Sequence, residues 1–85
     1  MGRAKLMREL QHQVAESRRR ISRGERPVFH VITSYDGAAV DVRIRELPII
    51  HLFVPHESGV IEGARGLIAN TLEVDPSTFV VELDS

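Results

Sequence analysis

The chain has 85 residues and a mass of 9.5 kDa, which allows one small domain and leaves no room for a separate cofactor-binding domain. The absence of cysteine excludes disulfides, thiolate zinc sites and cysteine nucleophiles. The sequence has no apolar run long enough to span a membrane, and its polar N-terminus differs from a secretory signal. We therefore expect a cytoplasmic protein.

Charge is divided unevenly along the chain. Residues 1–27 contain eight basic and three acidic residues, a net charge of +5. Residues 28–85 contain three basic and nine acidic residues, a net charge of −6. A basic segment joined to an acidic body indicates a polyanionic partner, an acidic protein partner or docking of the two parts on each other.

Residues 1–26 are predicted to form a basic amphipathic helix. The spacing of its apolar residues by three, four and seven positions defines one narrow stripe, made of Met7, Leu10, Val14 and Ile21. Ser17 occupies a position where another apolar residue is expected, and Gly24 and Pro27 end the helix. Such a helix is marginal alone, so we expect its stripe to pack on its own domain or on a second copy.

A β-hairpin is predicted after Pro27, because the apolar residues then alternate with a period of two. The dipeptide Asp36-Gly37 suits a two-residue hairpin turn. A turn at this dipeptide places Val31 opposite Val42 and Phe29 opposite Ile44, so that both apolar sets share one face.

A third strand, a helix and a fourth strand are predicted to complete the domain. Pro48 is expected to break the second strand, with a third strand over residues 49–54 and a helix capped by Ser58. One face of that helix is lined by Ile61, Ala64, Ile68 and Leu72. Gly63 and Gly66 are tolerable in the helix if it lies close on the sheet. A last strand over residues 79–83 gives an α+β fold with an N-terminal helix (1–26) and a β-β-β-α-β domain (27–85) whose antiparallel sheet carries one covering helix.

No catalytic or metal-binding constellation is recognisable in the sequence. The histidines are scattered without metal-ligand spacing, at positions 12, 30, 51 and 56. Asp41 alternates outward and is interpreted as a solubilising residue. Neither a nucleophile elbow nor a phosphate-binding loop is present. We therefore predict a protein that is not an enzyme and has no catalytic residues, metal or cofactor.

Two sets of residues are candidates for binding a partner. The first is the arginine cluster, which consists of Arg18, Arg19, Arg20 and Arg23. It could bind nucleic acid or an acidic protein surface, or it could be a solvated helix end without a partner. This segment has no aromatic residues for base stacking, and its stripe has no Trp or Phe for a membrane surface. The second is the outward face of the sheet, predicted to meet a protein partner, another copy or the N-terminal helix, and it comprises His30, Ile32, Arg43, Arg45, His51 and Phe53.

About two-thirds of the chain, residues 28–83, resembles the small HicB-type antitoxins. The similarity lies in the strand segment HVIT (30–33), the pair Leu47-Pro48, the helix end LIA (67–69) and above all the tail LEVDPSTFVVEL (72–83). The resemblance implies a partly degenerate ribonuclease H-like fold of β-β-β-α-β order without catalytic residues. It also implies a protein, often oligomeric, that binds and blocks a small HicA-type messenger-RNA interferase. Ile49 follows the Leu-Pro pair where the family tends to have glycine, and the C-terminal DNA-binding domain of many relatives has no counterpart before Ser85.

Three functional hypotheses follow. The first is an antitoxin-like binding protein whose acidic body neutralises a basic messenger-RNA interferase. The second is a small nucleic-acid-binding regulator that uses the arginine cluster. The third is an interaction or assembly module that has the antitoxin fold but no toxin.

Overall fold

The structure is a computed structural model that describes residues 2–84. Its helices and strands are, in chain order, α1 (Gly2–Ser22), β1 (Val28–Asp36), β2 (Ala39–Ile44), β3 (Leu47–Val54), α2 (Val60–Leu72) and β4 (Val80–Leu83). Short 3-10 turns at Glu57–Gly59 and Pro76–Thr78 flank α2. The predicted α+β class and the element order are therefore confirmed.

The four strands form a mixed sheet of order β3-β2-β1-β4. Strand β1 pairs antiparallel with β2, and β2 with β3, whereas β4 pairs parallel with β1. The predicted antiparallel sheet is thus wrong for β4. The physical reason is the connection, because a strand that follows a crossover helix returns parallel to the strand before the helix. Since β3 runs parallel to β1, a β4 that runs parallel to β3 also runs parallel to β1.

The β1–β2 hairpin turns one residue later than predicted. Asp36 and Ala39 form the last pair, so that Gly37 and Ala38 make the turn, and Gly37 has a φ of +65°. As a result Val31 lies opposite Ile44 instead of Val42, and the predicted register is wrong. A shift of two residues preserves the face on which a side chain lies, so both valines and Ile44 remain buried.

The second strand ends at Ile44, before Pro48, but Pro48 lies inside β3, which begins at Leu47 and not at residue 49 as predicted. The chain turns at Arg45 and Glu46, and Leu47 at the start of β3 already pairs with Ile44. Proline is tolerated here because β3 is an edge strand, where the missing N–H need not belong to a ladder. The pairing is irregular between Arg43 and Ile44, which accommodates the extra residues around Pro48.

The hydrophobic core lies between one face of the sheet and α2. Its largest fully buried side chains are Phe29, Phe79, Ile44, Leu47, Ile68, Leu72, Val31 and Val42. Helix α1 packs against α2 and β3, and its Val14 and Ile21 join the same core. Both helices therefore lie on one side of the sheet, and no element within residues 2–84 covers its other face. Within residues 2–84, no helix is long and apolar enough to cross a membrane.

Helix α2 begins without the predicted serine cap. Ser58 belongs to the preceding 3-10 turn, and the N-cap residue is Gly59, which provides no side-chain hydrogen bond. The buried face of the helix begins one residue earlier than predicted, with Val60 in place of Ile61. From there it continues as expected through the three residues Ala64, Ile68 and Leu72.

The two glycines of α2 are expected to respond differently to alanine. A Cβ at Gly63 would lie 3.0 Å from Cγ1 of Val54 and 3.4 Å from Cδ1 of Leu52, whereas a Cβ at Gly66 would meet nothing within 4 Å. Gly66→Ala should therefore raise the free energy of unfolding by about 1 kcal/mol through helix propensity. In Gly63→Ala, crowding against β3 should cancel that gain or reverse it. Urea unfolding of both variants measures the difference, and equal stabilisation would contradict this close approach.

Candidate functional site on the open face of the sheet

The uncovered side of the sheet, here called the open face, carries five of the six residues predicted to bind a partner, and four of these five lie close together. Ile32 on β1 pairs with Arg43 on β2, and Arg43 pairs with His51 on β3. Residues paired in this way lie on the same face of an antiparallel sheet. Phe53 lies two residues beyond His51 and therefore shares this face, opposite Asp41.

A nearly buried carboxylate lies at the centre of the open face. The Oδ2 atom of Asp41 accepts a hydrogen bond from Nε of Arg43 at 2.9 Å, and its Oδ1 atom lies 3.1 Å from Nδ1 of His51. The Asp41 side chain is only 10% exposed, so its interpretation as a solubilising surface residue is wrong. Arg43 on the same strand and His51 on β3 contact its two oxygens, and the ring of His51 also makes an edge contact with Phe53, with centroids 5.5 Å apart.

Asp41 is held in its ionised form. Burial acts to raise the pKa of its carboxyl group, but the hydrogen bonds and positive charges of His51 and Arg43 outweigh burial and lower the pKa below its ordinary value of 3.8. An ionised carboxylate can only accept hydrogen bonds, so Nδ1 of His51 carries a proton. When the ring is neutral, its Nε2 atom is therefore an acceptor for an outside donor.

Ile32 and Phe53 lie beside this polar cluster, and Val28 extends the exposed apolar surface along β1. Phe53 is 53% exposed, Ile32 is 42% exposed and Val28 is 38% exposed. Val28 and Ile32 alternate on β1 and share its outward side. The open face therefore combines exposed apolar surface with polar groups held in fixed positions.

The remaining two predicted interface residues, His30 on the open face and Arg45, lie at one end of the sheet and are held by carboxylates. The backbone N–H of His30 donates to Oε1 of Glu46 at 2.8 Å, and Nδ1 of His30 lies 2.5 Å from Oε2 of the same residue. Arg45 forms an ion pair with Asp84 and donates its backbone N–H to the carbonyl of His30. Glu46 was not among the residues predicted from the sequence, because its place in the β2–β3 turn becomes significant only once the register is known.

The arginine cluster does not form one basic surface. Neighbouring residues of an α-helix diverge by about 100°, so consecutive arginines project in different directions. Arg18 lies 3.8 Å from Glu73, Arg19 pairs with Glu16, and Arg20 donates to Glu25 at 3.0 Å. Within residues 2–84, Arg23 has no carboxylate partner. Local ion pairs therefore offset much of the positive charge that the sequence concentrates there.

Comparisons of the chain with protein-family models, with curated proteins and with solved structures find no match. Within the part of the chain that the structure describes, no three histidine, aspartate or glutamate side chains come together as ligands of a metal ion. The open face and the exposed part of α1 are the surfaces from which a function can be inferred.

Proposed function

We propose that this protein is an antitoxin-like binding protein that blocks a small, basic messenger-RNA interferase of the HicA type by direct contact. The observation that carries the proposal is the open face, on which exposed Ile32 and Phe53 flank the cluster of Asp41, Arg43 and His51. The proposal also draws on the similarity of residues 28–83 to HicB-type antitoxins and on the β-β-β-α-β order of the elements.

Exposed apolar side chains on a sheet face favour a protein partner. A protein interface has an apolar centre with a polar rim, and aromatic residues and arginine are enriched in it. Phe53 and Ile32 supply apolar area that water covers in the free chain. Burial of this area against a partner would provide the main gain in free energy on binding.

Preorganisation of the polar cluster favours binding as well. Arg43 uses Nε and His51 uses Nδ1 to bond Asp41, and these bonds fix both side chains before a partner arrives. Less side-chain entropy is then lost on association than for free arginine and histidine side chains. The terminal nitrogens of Arg43 and Nε2 of His51 remain for hydrogen bonds with the partner.

Charge favours a basic partner. Residues 28–85 carry a net charge of −6, and complementary potentials accelerate association and discourage wrong partners. A nuclease that binds messenger RNA needs a basic surface, because the phosphate backbone dominates its affinity. The acidic body would therefore attract such an enzyme and compete with its RNA.

The test is capture followed by an activity assay. Two samples of lysate from the source cells, one treated with nuclease and one untreated, are passed over the immobilised full chain, and each ribonuclease retained from the untreated sample is assayed on messenger RNA. We expect a small basic ribonuclease whose cleavage stops once the chain is added in equimolar amount. A matched full-length variant, with glutamine replacing Arg18, Arg19, Arg20 and Arg23, should retain and inhibit the same enzyme.

Other outcomes would overturn the proposal. If no ribonuclease is retained, or if a retained one stays active at saturating amounts of the chain, the protein is not an antitoxin. If retention requires the four arginines and disappears on nuclease treatment, α1 binds nucleic acid and the second hypothesis holds. A retained protein without nuclease activity would favour the assembly module.

A further inference from the structure

The outer edge of β4 presents backbone groups that have no partner within residues 2–84. Strand β4 is the last strand in the sheet order and lies beside β1. The backbone N–H groups of Val80 and Asp84 donate to carbonyl groups on the β1 side, at 2.9 Å and 2.8 Å. Successive residues of a strand point their backbone groups to opposite sides, so those of Val81 and Leu83 point away from β1. An N–H and a carbonyl of each of these two residues are therefore open to another strand.

The opposite edge of the sheet is protected, in contrast to that of β4. Natural sheets block their edges with proline, with lysine or with a covering helix. Strand β3 contains Pro48, and α1 packs against this strand. Strand β4 has the sequence VVEL, without proline or lysine, and the side chain of Leu83 is 58% exposed. The edge of β4 is therefore suited to pairing with a further strand.

The side chains of β4 offer a different chemistry on each side of the sheet. Glu82 pairs in register with His30 and therefore lies on the open face. It is exposed, and it forms no ion pair within the part of the chain that the structure describes. On the other side of the sheet, Val81 packs against the core, whereas Leu83 is largely exposed. The edge thus offers a carboxylate on one side and apolar surface on the other.

We propose that the edge of β4 binds an extended segment of a partner protein in which basic residues alternate with apolar residues. The backbone of this segment bonds to the free groups of Val81 and Leu83, as in other complexes where a peptide adds a strand to a sheet. Side chains directly opposite each other on neighbouring strands lie about 5 Å apart. An arginine or lysine of the segment therefore reaches Glu82, and an apolar residue next to it covers Leu83.

A basic segment suits this edge better than β4 of a second copy does. An antiparallel pair that aligns Val81 of one copy with Leu83 of the other places the two Glu82 side chains opposite each other. Like charges in this position destabilise the pair. The edge also presents backbone groups that the open face does not, so this proposal does not rest on the antitoxin function. Binding of a basic strand and inhibition of an interferase can each fail without the other.

Calorimetric titration of the full chain with the capped peptide acetyl-VRVRVRV-amide tests the proposal. We expect one saturable site with a dissociation constant below about 100 µM. The control peptide acetyl-VEVEVEV-amide has the same alternation with the opposite charge, and it should bind at least about tenfold more weakly. Weaker binding of the arginine peptide than this limit, or equal affinity for both peptides, would overturn the proposal.

Leu83→Pro tests the backbone contact. The substitution removes an N–H that points away from β1, so the sheet should stay intact while affinity for the arginine peptide falls at least about tenfold. Leu83→Val retains the N–H and is the control, and circular dichroism reports whether both variants fold. Wild-type affinity in Leu83→Pro would refute the proposal. A wild-type dimer that Leu83→Pro dissociates in sedimentation equilibrium would also refute it, because the edge would then pair with a second copy.

A charge reversal at Glu82 tests the proposal even if Leu83→Pro does not fold. In Glu82→Arg the preference should reverse, so that the glutamate peptide binds more tightly than the arginine peptide. Glu57→Arg is the matched control, because it changes the net charge equally at an exposed residue that follows β3, the strand at the opposite edge. This control should keep the wild-type preference. An equal change of preference in both variants would show that the acidic body attracts the peptide without a defined site at β4.

Discussion

Phe79→Ala should lower the free energy of unfolding by about 3–5 kcal/mol, the largest effect we expect from a single substitution in this chain. Phe79 is 1% exposed and packs edge to face against Phe29, with ring centroids 5.6 Å apart. Its removal leaves a cavity and also loses the aromatic pair. Domains as small as this one have total stabilities near the lower end of about 5–15 kcal/mol, so the variant should be partly unfolded at 37 °C.

The position of Phe79 explains why the effect should be so large. The residue directly precedes β4, a strand of four residues at the edge of the sheet. Asp75 holds the turn before it by accepting hydrogen bonds from the backbone N–H of Ser77 at 2.9 Å and from its hydroxyl at 2.7 Å. The contact with Phe29 then fixes β4 to β1, and its loss should release the strand.

Urea unfolding and thermal melting followed by circular dichroism measure the effect of Phe79→Ala. Tyr35→Ala is the control, because Tyr35 is 66% exposed and its loss should change stability by less than about 0.5 kcal/mol. If Phe79→Ala does not fold, Phe79→Leu retains apolar contact and should cost about 1 kcal/mol for the lost aromatic geometry. Equal effects at Phe79 and Tyr35 would contradict the core as described.

Local patterns predicted the elements of this fold, but not how the last strand pairs. The change from a helical period to a period of two at Pro27 located α1 and β1, because side-chain periodicity is a local property. The partner of β4 is a non-local property, fixed by α2 crossing the sheet. The local sequence also does not determine the register of the hairpin, because a two-residue turn at either Asp36-Gly37 or Gly37-Ala38 contains a glycine.

For the candidate site too, local patterns predicted some features, and residues distant in sequence determined the others. Alternation correctly assigned Ile32 and Arg43 to one face, because each belongs to a strand with a clear period of two. The same alternation gave Asp41 a place on the outward face but could not reveal its burial. That burial depends on Arg43 two residues along β2 and on His51 across the sheet. A pattern within one strand contains no information about such a neighbour.

Phe53→Asp should weaken binding of the ribonuclease partner by at least about 30-fold, which corresponds to about 2 kcal/mol, while the fold remains intact. Phe53 is 53% exposed, so the substitution removes little of the core, and repulsion between the new carboxylate and the ionised Asp41 opposite it should lower stability without unfolding the domain. In the complex, however, a carboxylate at this position would have to lose its water against apolar surface, which is costly without a partner charge. Isothermal titration calorimetry with the captured enzyme gives the dissociation constant, and inhibition of messenger-RNA cleavage gives a second measure.

Tyr35→Asp is the matched control for Phe53→Asp. It also replaces an exposed aromatic residue of a strand by aspartate, but Tyr35 pairs with the buried Val40 and therefore lies on the face of the sheet opposite to the open face. The control should bind and inhibit as wild type does. It separates the loss of contact at the open face from a general effect of the added negative charge. Equal losses of affinity in both variants would assign the effect to charge alone. No loss of affinity in either variant would show that the open face is not the docking surface. A loss confined to Phe53→Asp would locate the partner on the face that the two helices leave uncovered.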